Sequence, residues 1–309
     1  MIKGRDRVFI SGQEGMVGSA IFNLLKKKKI NILSCKRSEL DLTNQKQVED
    51  WINKKKPDIV INAAGRVGGI LDNSKNKEEY IYINAMIGLN LVKSSFENNV
   101  KKFINLSSAC VYPKKASQPI DEGALLTSFL EPTNEGYALA KILVLKYCEY
   151  INLKYKKNYI TLQPANLYGY GDNFDLKTSH VLPALIKKFH IAKQNNNKIV
   201  EVWGTGKPER EFLHVNDLAE AIYFCITKRI NHTFMNVGGA DRIKIKELCS
   251  LIKKITNFEG KIFYNKKYPD GVLKRNLSNK ILKKYGWKPK IKLQSKEGLE
   301  AYYEYFKRV

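Results

Sequence analysis

Arg7-Val-Phe-Ile-Ser11 runs into Gly12-Gln-Glu-Gly15-Met-Val-Gly18, and the fold class follows from this junction. The first five residues form a short apolar run of the kind that makes a buried strand. Met16 to Lys28 then alternates apolar and polar residues at helical spacing. Strand, glycine loop and helix in that order is the context that a dinucleotide fingerprint requires. Glycines at 12, 15 and 18 permit a tight turn, close approach of a pyrophosphate, and close packing of helix on strand. The helix N-terminus then faces the phosphates. The spacing is G-x-x-G-x-x-G rather than G-x-G-x-x-G.

The rest of the first half repeats the alternation. Asn31–Cys35 reads as a second strand, and Lys36-Arg37 follows where an acidic residue would suit the ribose 2′-hydroxyl of NAD. Two cations suit the 2′-phosphate of NADP instead, although Glu14 in the glycine loop is placed to repel it. Asp41 to Lys56 fits a helix closed by Pro57, and Asp58–Asn62 is a strand ending in Ala63-Ala64-Gly65. Small residues there allow a flat ligand to come close. Glu79–Asn98 is a long helix, Lys102–Leu106 a strand ending in Ser107-Ser108-Ala109-Cys110, Tyr137–Lys154 a helix, and Tyr159–Gln163 a strand running into Pro164. Strands alternating with helices predict an α/β fold with a doubly wound parallel Rossmann sheet. Ligands then bind beyond the carboxyl ends of the strands, where the glycine loop, Arg37, Ala64, Ser108 and Pro164 all fall.

After Gly169 the pattern loosens. A Pro-containing helix start at Ser179–His190, short strands at Ile199–Trp203 and Glu211–Val215, and helices at Asp217–Lys228, Lys244–Thr256 and Ser295–Phe306 predict a smaller C-terminal α/β substrate lobe. The division expected is a dinucleotide-binding domain over residues 1–170, with 212–238 returning to it, and a lobe over 171–309.

Tyr137 and Lys141 stand four residues apart in a predicted helix, so both side chains lie on one face. An ammonium beside a phenol favours the phenolate and is expected to bring its pKa down toward neutrality. Such a pair can move a proton to or from an oxygen on a carbon that gains or loses hydride. The same spacing recurs at Tyr150/Lys154 and Tyr303/Lys307, both expected on solvated helix faces.

The 309 residues carry a formal net charge of +24 and are 43% hydrophobic. The charge admits an acidic partner, whether nucleic acid or a phosphorylated ligand. Lys26–Lys29 and Lys54–Lys56, however, fall at helix ends where cations suit the dipole, so a solvated surface is the better reading. No nucleic-acid partner is expected, and the field steers an anionic substrate. No run is long and apolar enough for a membrane span, and the N-terminus lacks a signal peptide's apolar region. Five scattered Cys and four unpaired His argue against a disulfide framework or a metal centre and for a reducing cytoplasm.

With Gly12, Gly15, Gly18, Ser108, Tyr137 and Lys141 in place, the chain resembles the extended short-chain dehydrogenase/reductases that act on nucleotide sugars. Gly15-Met-Val-Gly-Ser-Ala20, Val67-Gly-Gly-Ile70, Ser108–Pro113, Glu131–Glu135, Asp172-Asn-Phe174, Ser179-His180, Trp203-Gly204, Arg210–His214 and Pro269-Asp-Gly271 narrow the resemblance to the GDP-L-fucose synthase family. It spans essentially the whole chain. The resemblance implies NADPH-dependent 3,5-epimerisation and 4-reduction of GDP-4-keto-6-deoxy-D-mannose. It implies NADPH/NADP bound by Gly12, Gly15, Met16, Val17, Gly18, Lys36, Arg37, Asp41, Leu42, Ala63, Ala64, Leu106, Lys141, Pro164, Asn166, Leu167 and His180. Ser108, Tyr137 and Lys141 would serve the reduction, and Cys110 with His180 the epimerisation. Lys188, Trp203, Arg210 and Asp270 would hold the GDP moiety. A homodimer would form through Glu79–Asn98 and Tyr137–Lys154, burying Ile87, Leu91 and Val144. Four positions depart from the family pattern, which more often has Arg at Glu14, Ser at Ala109, Pro at Gly136 and Arg at Lys188. They leave open a C4-reductase of another GDP-4-keto sugar, such as a 6-deoxy-heptose or a colitose precursor. A basic nucleic-acid-binding protein on a nucleotide-binding fold would leave Ser108, Tyr137 and Lys141 unexplained.

Overall fold

A computed structural model describes residues 2, 5–268, 270 and 272–309. Pro269 and Gly271 of the Pro-Asp-Gly match therefore lie outside the described residues. In chain order the first half comprises β1 (Arg7–Ser11), α1 (Met16–Lys27), β2 (Asn31–Leu33), α2 (Gln45–Lys55), β3 (Ile59–Asn62), α3 (Ile70–Lys75), α4 (Lys77–Glu97), β4 (Lys102–Leu106), α5 (Glu135–Tyr155) and β5 (Asn158–Pro164). The second half comprises β6 (Asn166–Tyr168), α6 (Val181–Gln194), β7 (Ile199–Trp203), β8 (Glu209–His214), α7 (Val215–Thr227), β9 (Phe234–Val237), β10 (Asp241–Lys244), α8 (Ile245–Ile255), β11 (Lys261–Asn265), β12 (Lys274–Arg275), α9 (Lys280–Tyr285) and α10 (Ala301–Phe306).

The large sheet has the order β2-β1-β3-β4-β5-β9, with every pairing parallel. Its central strands are continuous apolar runs because helices cover both faces. The strand order reverses between β1 and β3, which is where a doubly wound sheet opens its ligand crevice. The chain then crosses into a small sheet in which β10 and β12 flank β8, and β6 also pairs with β8. A further parallel pair joins β7 to β11. Of the segment 212–238, α7 packs on α1 and β9 pairs with β5, while residues 212–214 belong to β8 in the small sheet. The lobe has its own core around Tyr168, Phe189, Phe212, Leu248 and Tyr302.

Helix boundaries follow local chemistry. The helix expected from Asp41 begins at Gln45, because Asn44 caps it by accepting from the Gln47 amide, and Asp41 instead accepts from Thr43. Lys56 ends it in the left-handed conformation. The helix expected over Ser295–Phe306 is regular only from Ala301, since Gly298 breaks it.

Helices α4 and α5 lie unusually close. A Cβ on Gly88 would sit 2.2 Å from a Val144 methyl, so only glycine fits. This corrects the expected dimer face. Ile87, Leu91 and Val144 are buried within the chain, in the core shared with β1, β3 and β4. The large apolar side chains that α4 and α5 leave outside are Ile81, Tyr82, Leu139, Leu143, Tyr150, Leu153 and Tyr155. Tyr303 is a second correction. It is buried and bonds His190 Nδ1 at 2.9 Å, so it does not lie on a solvated face, whereas Tyr150 does. Among the described residues no helix is long and apolar enough to cross a membrane.

Candidate active site

The glycine loop closes as its sequence suggests. Gly12 has φ +71°, and its amide neighbour Gly15 donates back to the Gly12 carbonyl at 3.1 Å. A Cβ on Gly12 would meet the Ala64 backbone at 2.7 Å, and one on Gly18 would meet the Gly12 oxygen at 2.0 Å. Helix α1 therefore starts hard against the crevice between β1 and β3. No side chain caps its N-terminus and no acid stands in its first turn, so its amides are free for an anion. Gly171 closes over Met16 from the other side. Such a cradle fits a dinucleotide pyrophosphate.

At the adenosine end, Lys36 and Arg37 follow β2 as expected. Their backbone amides, however, are taken by carboxylates. Glu39 accepts from the Lys36 amide at 2.9 Å and Glu14 from the Arg37 amide at 3.3 Å. Asp41 is held by Thr43, whose side chain and amide keep its carboxyl below the usual range. The Leu42 carbonyl accepts from Asn90 on α4 at 3.0 Å. Asp41 and Leu42 thus frame the loop through their backbone and its turn.

The chemistry gathers at the end of β4. Ser108 caps the short turn Ala109–Val111 by accepting from the Cys110 amide at 3.2 Å. Its hydroxyl also lies close enough to the Tyr137 phenol to draw that group's pKa down. Asn134 reaches Cys110 Sγ with its Nδ2 at 3.1 Å, while its Oδ1 is buried without a partner. Tyr137 is in the first turn of α5, and Lys141 lies one turn on. Lys141 Nζ is 5.5 Å from the Tyr137 ring centre and donates to the Leu106 carbonyl at 3.0 Å. Tyr80 meets the Tyr137 ring edge-on at 6.3 Å. Gly136 has a structural reason of its own, since a Cβ there would lie 2.6 Å from the Lys77 carbonyl.

The expected direction of the Tyr137 shift is wrong. Burial raises the phenol, Cys110 adds to this, and the nearby Ser108 hydroxyl only partly offsets them. Lys141 is also desolvated, which lowers it to about 8. Desolvation of both groups outweighs their mutual effect. The phenol therefore keeps its proton at neutral pH, as a group that protonates a ketone oxygen must.

His180 precedes α6 as its N-cap residue without a side-chain hydrogen bond; its side chain is exposed at the surface, and desolvation by the protein packed around it lowers its imidazole. The segment before it is tied to the catalytic side. The Gly69 amide donates to the Thr178 carbonyl at 2.7 Å, and α3, which starts at Ile70, packs on Pro132–Asn134. A chain of contacts through Asn134, α3 and Thr178 thus links the Cys110 turn to the segment that precedes His180. Pro164 ends β5, Ala63 and Ala64 follow β3, and Asn166 and Leu167 pair with Phe212 and Leu213 of β8. The Asn166 amide side chain is bonded to the Glu211 carbonyl.

In the lobe, Lys188 Nζ sits 4.9 Å over the Trp203 ring, and Tyr268 stacks on Trp203 at 4.3 Å. Arg210 donates to the carbonyls of Glu209, Val272 and Asp270. Both Asp270 oxygens are taken by the Thr205 amide and hydroxyl, so its carboxylate fixes a turn beside Arg210. Tyr268 and Arg275 were not singled out in the sequence. An isolated aromatic or cation in a Lys-rich stretch carries no local signal, and only its partner in space marks it.

These features sit in a chain with clear relatives. The NAD dependent epimerase/dehydratase family matches residues 8–238. The chain belongs to the NAD dependent epimerase/dehydratase family. Within that family it is 44% identical to a putative GDP-L-fucose synthase 2 of Arabidopsis thaliana, over 99% of this chain and 93% of the relative. It is 38% identical to the GDP-L-colitose synthase of Yersinia pseudotuberculosis, over 97% of each. Among solved structures of the family, a GDP-6-OMe-4-keto-L-xylo-heptose reductase from C. jejuni superposes with a TM-score of 0.91 at 33% identity, covering 99% of each chain.

Proposed function

We propose that this chain reduces and epimerises a GDP-4-keto sugar, converting GDP-4-keto-6-deoxy-D-mannose to GDP-L-fucose with NADPH. The observation that carries this reading is one cluster at the end of β4, where Ser108 accepts from the Cys110 amide, Asn134 reaches the Cys110 sulfur, and Lys141 is anchored to Leu106 beside the Tyr137 ring. When bound over the glycine loop, NADPH supplies the hydride that C4 receives. Ser108 hydrogen-bonds the C4 oxygen, and Tyr137 gives that oxygen its proton as the carbonyl becomes an alcohol. Lys141, anchored to Leu106, holds a positive charge beside the developing alkoxide.

Epimerisation precedes reduction, because only the ketone acidifies the hydrogens at C3 and C5. Cys110 and His180 divide that work, with one removing a proton to give the enolate and the other returning one on the opposite face. Asn134 orients the Cys110 sulfur. Trp203 and Lys188 offer a ring and a cation for the guanine end, and Arg210 a guanidinium for the diphosphate. All five cysteines are free, and a reducing cytoplasm keeps Cys110 in that state. The exposed apolar side chains of α4 and α5 support a homodimer through those helices.

Turnover of GDP-4-keto-6-deoxy-D-mannose with NADPH in D2O, followed by NMR, tests the reading. GDP-L-fucose carrying deuterium at C3 and C5 is expected. A 4-reduced product with no deuterium would make this chain a reductase alone, and turnover confined to a heptose analogue would favour the reading suggested by the C. jejuni reductase.

A further inference from the structure

Tyr80 stands near the start of α4 and is fully buried. Its ring centre lies 6.3 Å from that of Tyr137, with the two planes at 80°. This is the edge-to-face arrangement that aromatic quadrupoles favour, and it restricts how the second ring can turn. Tyr80 is itself held from the far end. Its hydroxyl donates to Asp72 Oδ2 at 2.5 Å, a short bond of the kind a carboxylate accepts from an O–H. The other Asp72 oxygen accepts from Asn76 Nδ2 at 2.6 Å and faces the Arg66 guanidinium at 3.9 Å. Arg66 covers the Tyr80 ring at 5.1 Å and is fixed in turn by Glu79. Gly68 leaves room for the pair, since a Cβ there would fall 2.3 Å from the Tyr80 hydroxyl oxygen and 2.8 Å from Asp72 Oδ2.

A buried tyrosine beside a proton donor could either relay protons or aim the donor, and its bonding decides between the two. The Tyr80 proton is committed to Asp72, and burial together with that carboxylate pushes the phenol up to about 12. Near neutral pH it therefore has no proton to pass on. What it offers Tyr137 is a fixed surface. Transfer from a phenol to a ketone oxygen needs the O–H aimed at that oxygen, and an error of about 1 Å can cost about a hundredfold in rate. We propose that Tyr80, held by Asp72, is a positioning residue that aims the Tyr137 phenol at the C4 oxygen. The inference rests on the reading of Tyr137 as the proton donor. Asp72 belongs to α3, which also packs on Pro132–Asn134 just before α5, so the support and the donor share one base.

Steady-state reduction of an already epimerised 4-keto substrate by NADPH, in Tyr80→Leu, Tyr80→Phe and Asp72→Asn, tests it. Tyr80→Leu should lower kcat by about 30- to 100-fold and leave KM for NADPH and for the sugar within about twofold. Tyr80→Phe and Asp72→Asn keep the ring but loosen its far end, and each should lower kcat by about three- to tenfold. The deciding readout is the same change made in the Tyr137→Phe background. A residue that acts through Tyr137 loses its effect there, so the double variants should be no slower than Tyr137→Phe alone. A Tyr80→Leu kcat within about twofold of wild type, or an equal fold loss in both backgrounds, would overturn the inference and leave Tyr80 as core packing. Should Tyr80→Leu fail to fold, Tyr80→Phe makes the same comparison by the same criteria. A near-wild-type rate in Tyr137→Phe itself would overturn the proton-donor reading, and the inference with it.

Discussion

Lys141 Nζ donates to the Leu106 carbonyl at 3.0 Å, and this bond ties the helix that carries Tyr137 to the strand that delivers Ser108. Tyr137, Ser108 and Lys141 are therefore parts of one junction between α5 and β4. Tyr137→Phe should fold, bind NADPH normally, and lose reduction by about a thousandfold. Loss of NADPH absorbance measures it, and a rate within about tenfold of wild type would remove the proton-donor role. Tyr150→Phe is a silent control, since Tyr150 is exposed. Tyr303→Phe is not, because it deletes the bond to His190; it should cost about 1 kcal/mol of stability and leave kcat alone.

Burial sets the pH behaviour of the same junction. Lys141 falls from its ordinary 10.5 to about 8, so the free enzyme loses this cation as pH rises through about 8. Tyr137 is raised and keeps its proton across that range. Reductive kcat/KM should therefore decline on the alkaline side near pH 8. The stability sign follows separately. Between about 8 and 10.5 the unfolded chain binds the proton that the folded one has released, so the unliganded protein gains stability from this group as pH rises through that window. Below it the buried cation is a full cost. Thermal midpoints of wild type and Lys141→Met against pH check this, and parallel curves would show that Lys141 keeps its proton.

The adenosine end carries two carboxylates on the amides of its basic pair. Glu14→Gln should lower KM for NADPH by several-fold while leaving NADH nearly unchanged, because only the 2′-phosphate feels the removed charge. Arg37→Ala should do the reverse. Initial rates with both cofactors measure this. An equal effect of Glu14→Gln on NADPH and NADH would place that carboxylate away from the 2′-phosphate.

Assembly is tested on the outer face of α5. Leu143 is 47% exposed on the helix face that the large core leaves uncovered. Leu143→Glu should convert a dimer to a monomer in sedimentation experiments without changing the circular dichroism. A wild-type monomer at micromolar concentration would contradict the homodimer outright.

The residues explain what could be read before the structure and what could not. Strands β1, β3, β4 and β5 were legible because a parallel strand buried on both faces is a continuous apolar run. Gly12 and Gly18 were legible because a side chain at either would collide with backbone. Strands β6, β10 and β12 were not, since each is two to four residues long and takes its register from β8 rather than from its own pattern. The dimer face failed for a related reason. Apolar residues surround α4 and α5 on nearly all sides, so periodicity could not tell Ile87, which faces the core, from Leu143, which does not. The Tyr137 shift was misjudged because spacing supplies the charge of Lys141 but not the desolvation of both groups.

Epimerisation gives the sharpest test, because Cys110 has a bland alternative as a small buried side chain. Its surroundings argue against that. Cys110 is only partly buried, its amide is held by Ser108, and Asn134 points an N–H at its sulfur. An N–H on sulfur fixes the direction of the sulfur, which suits a group that must take a proton from a ring carbon. Cys110→Ser should stop solvent deuterium from entering C3 and C5 of the 4-keto substrate, while an already epimerised substrate is still reduced. Asn134→Ala should slow exchange by about tenfold to a hundredfold and leave that reduction nearly intact, as expected of a residue that acts through Cys110. His180→Gln should impair exchange as well, and its residual rate should lose the acidic limb that a depressed imidazole gives. Unchanged deuterium incorporation in Cys110→Ala would leave Cys110 as packing alone and reduce the chemistry at this cleft to a hydride and a proton delivered to C4.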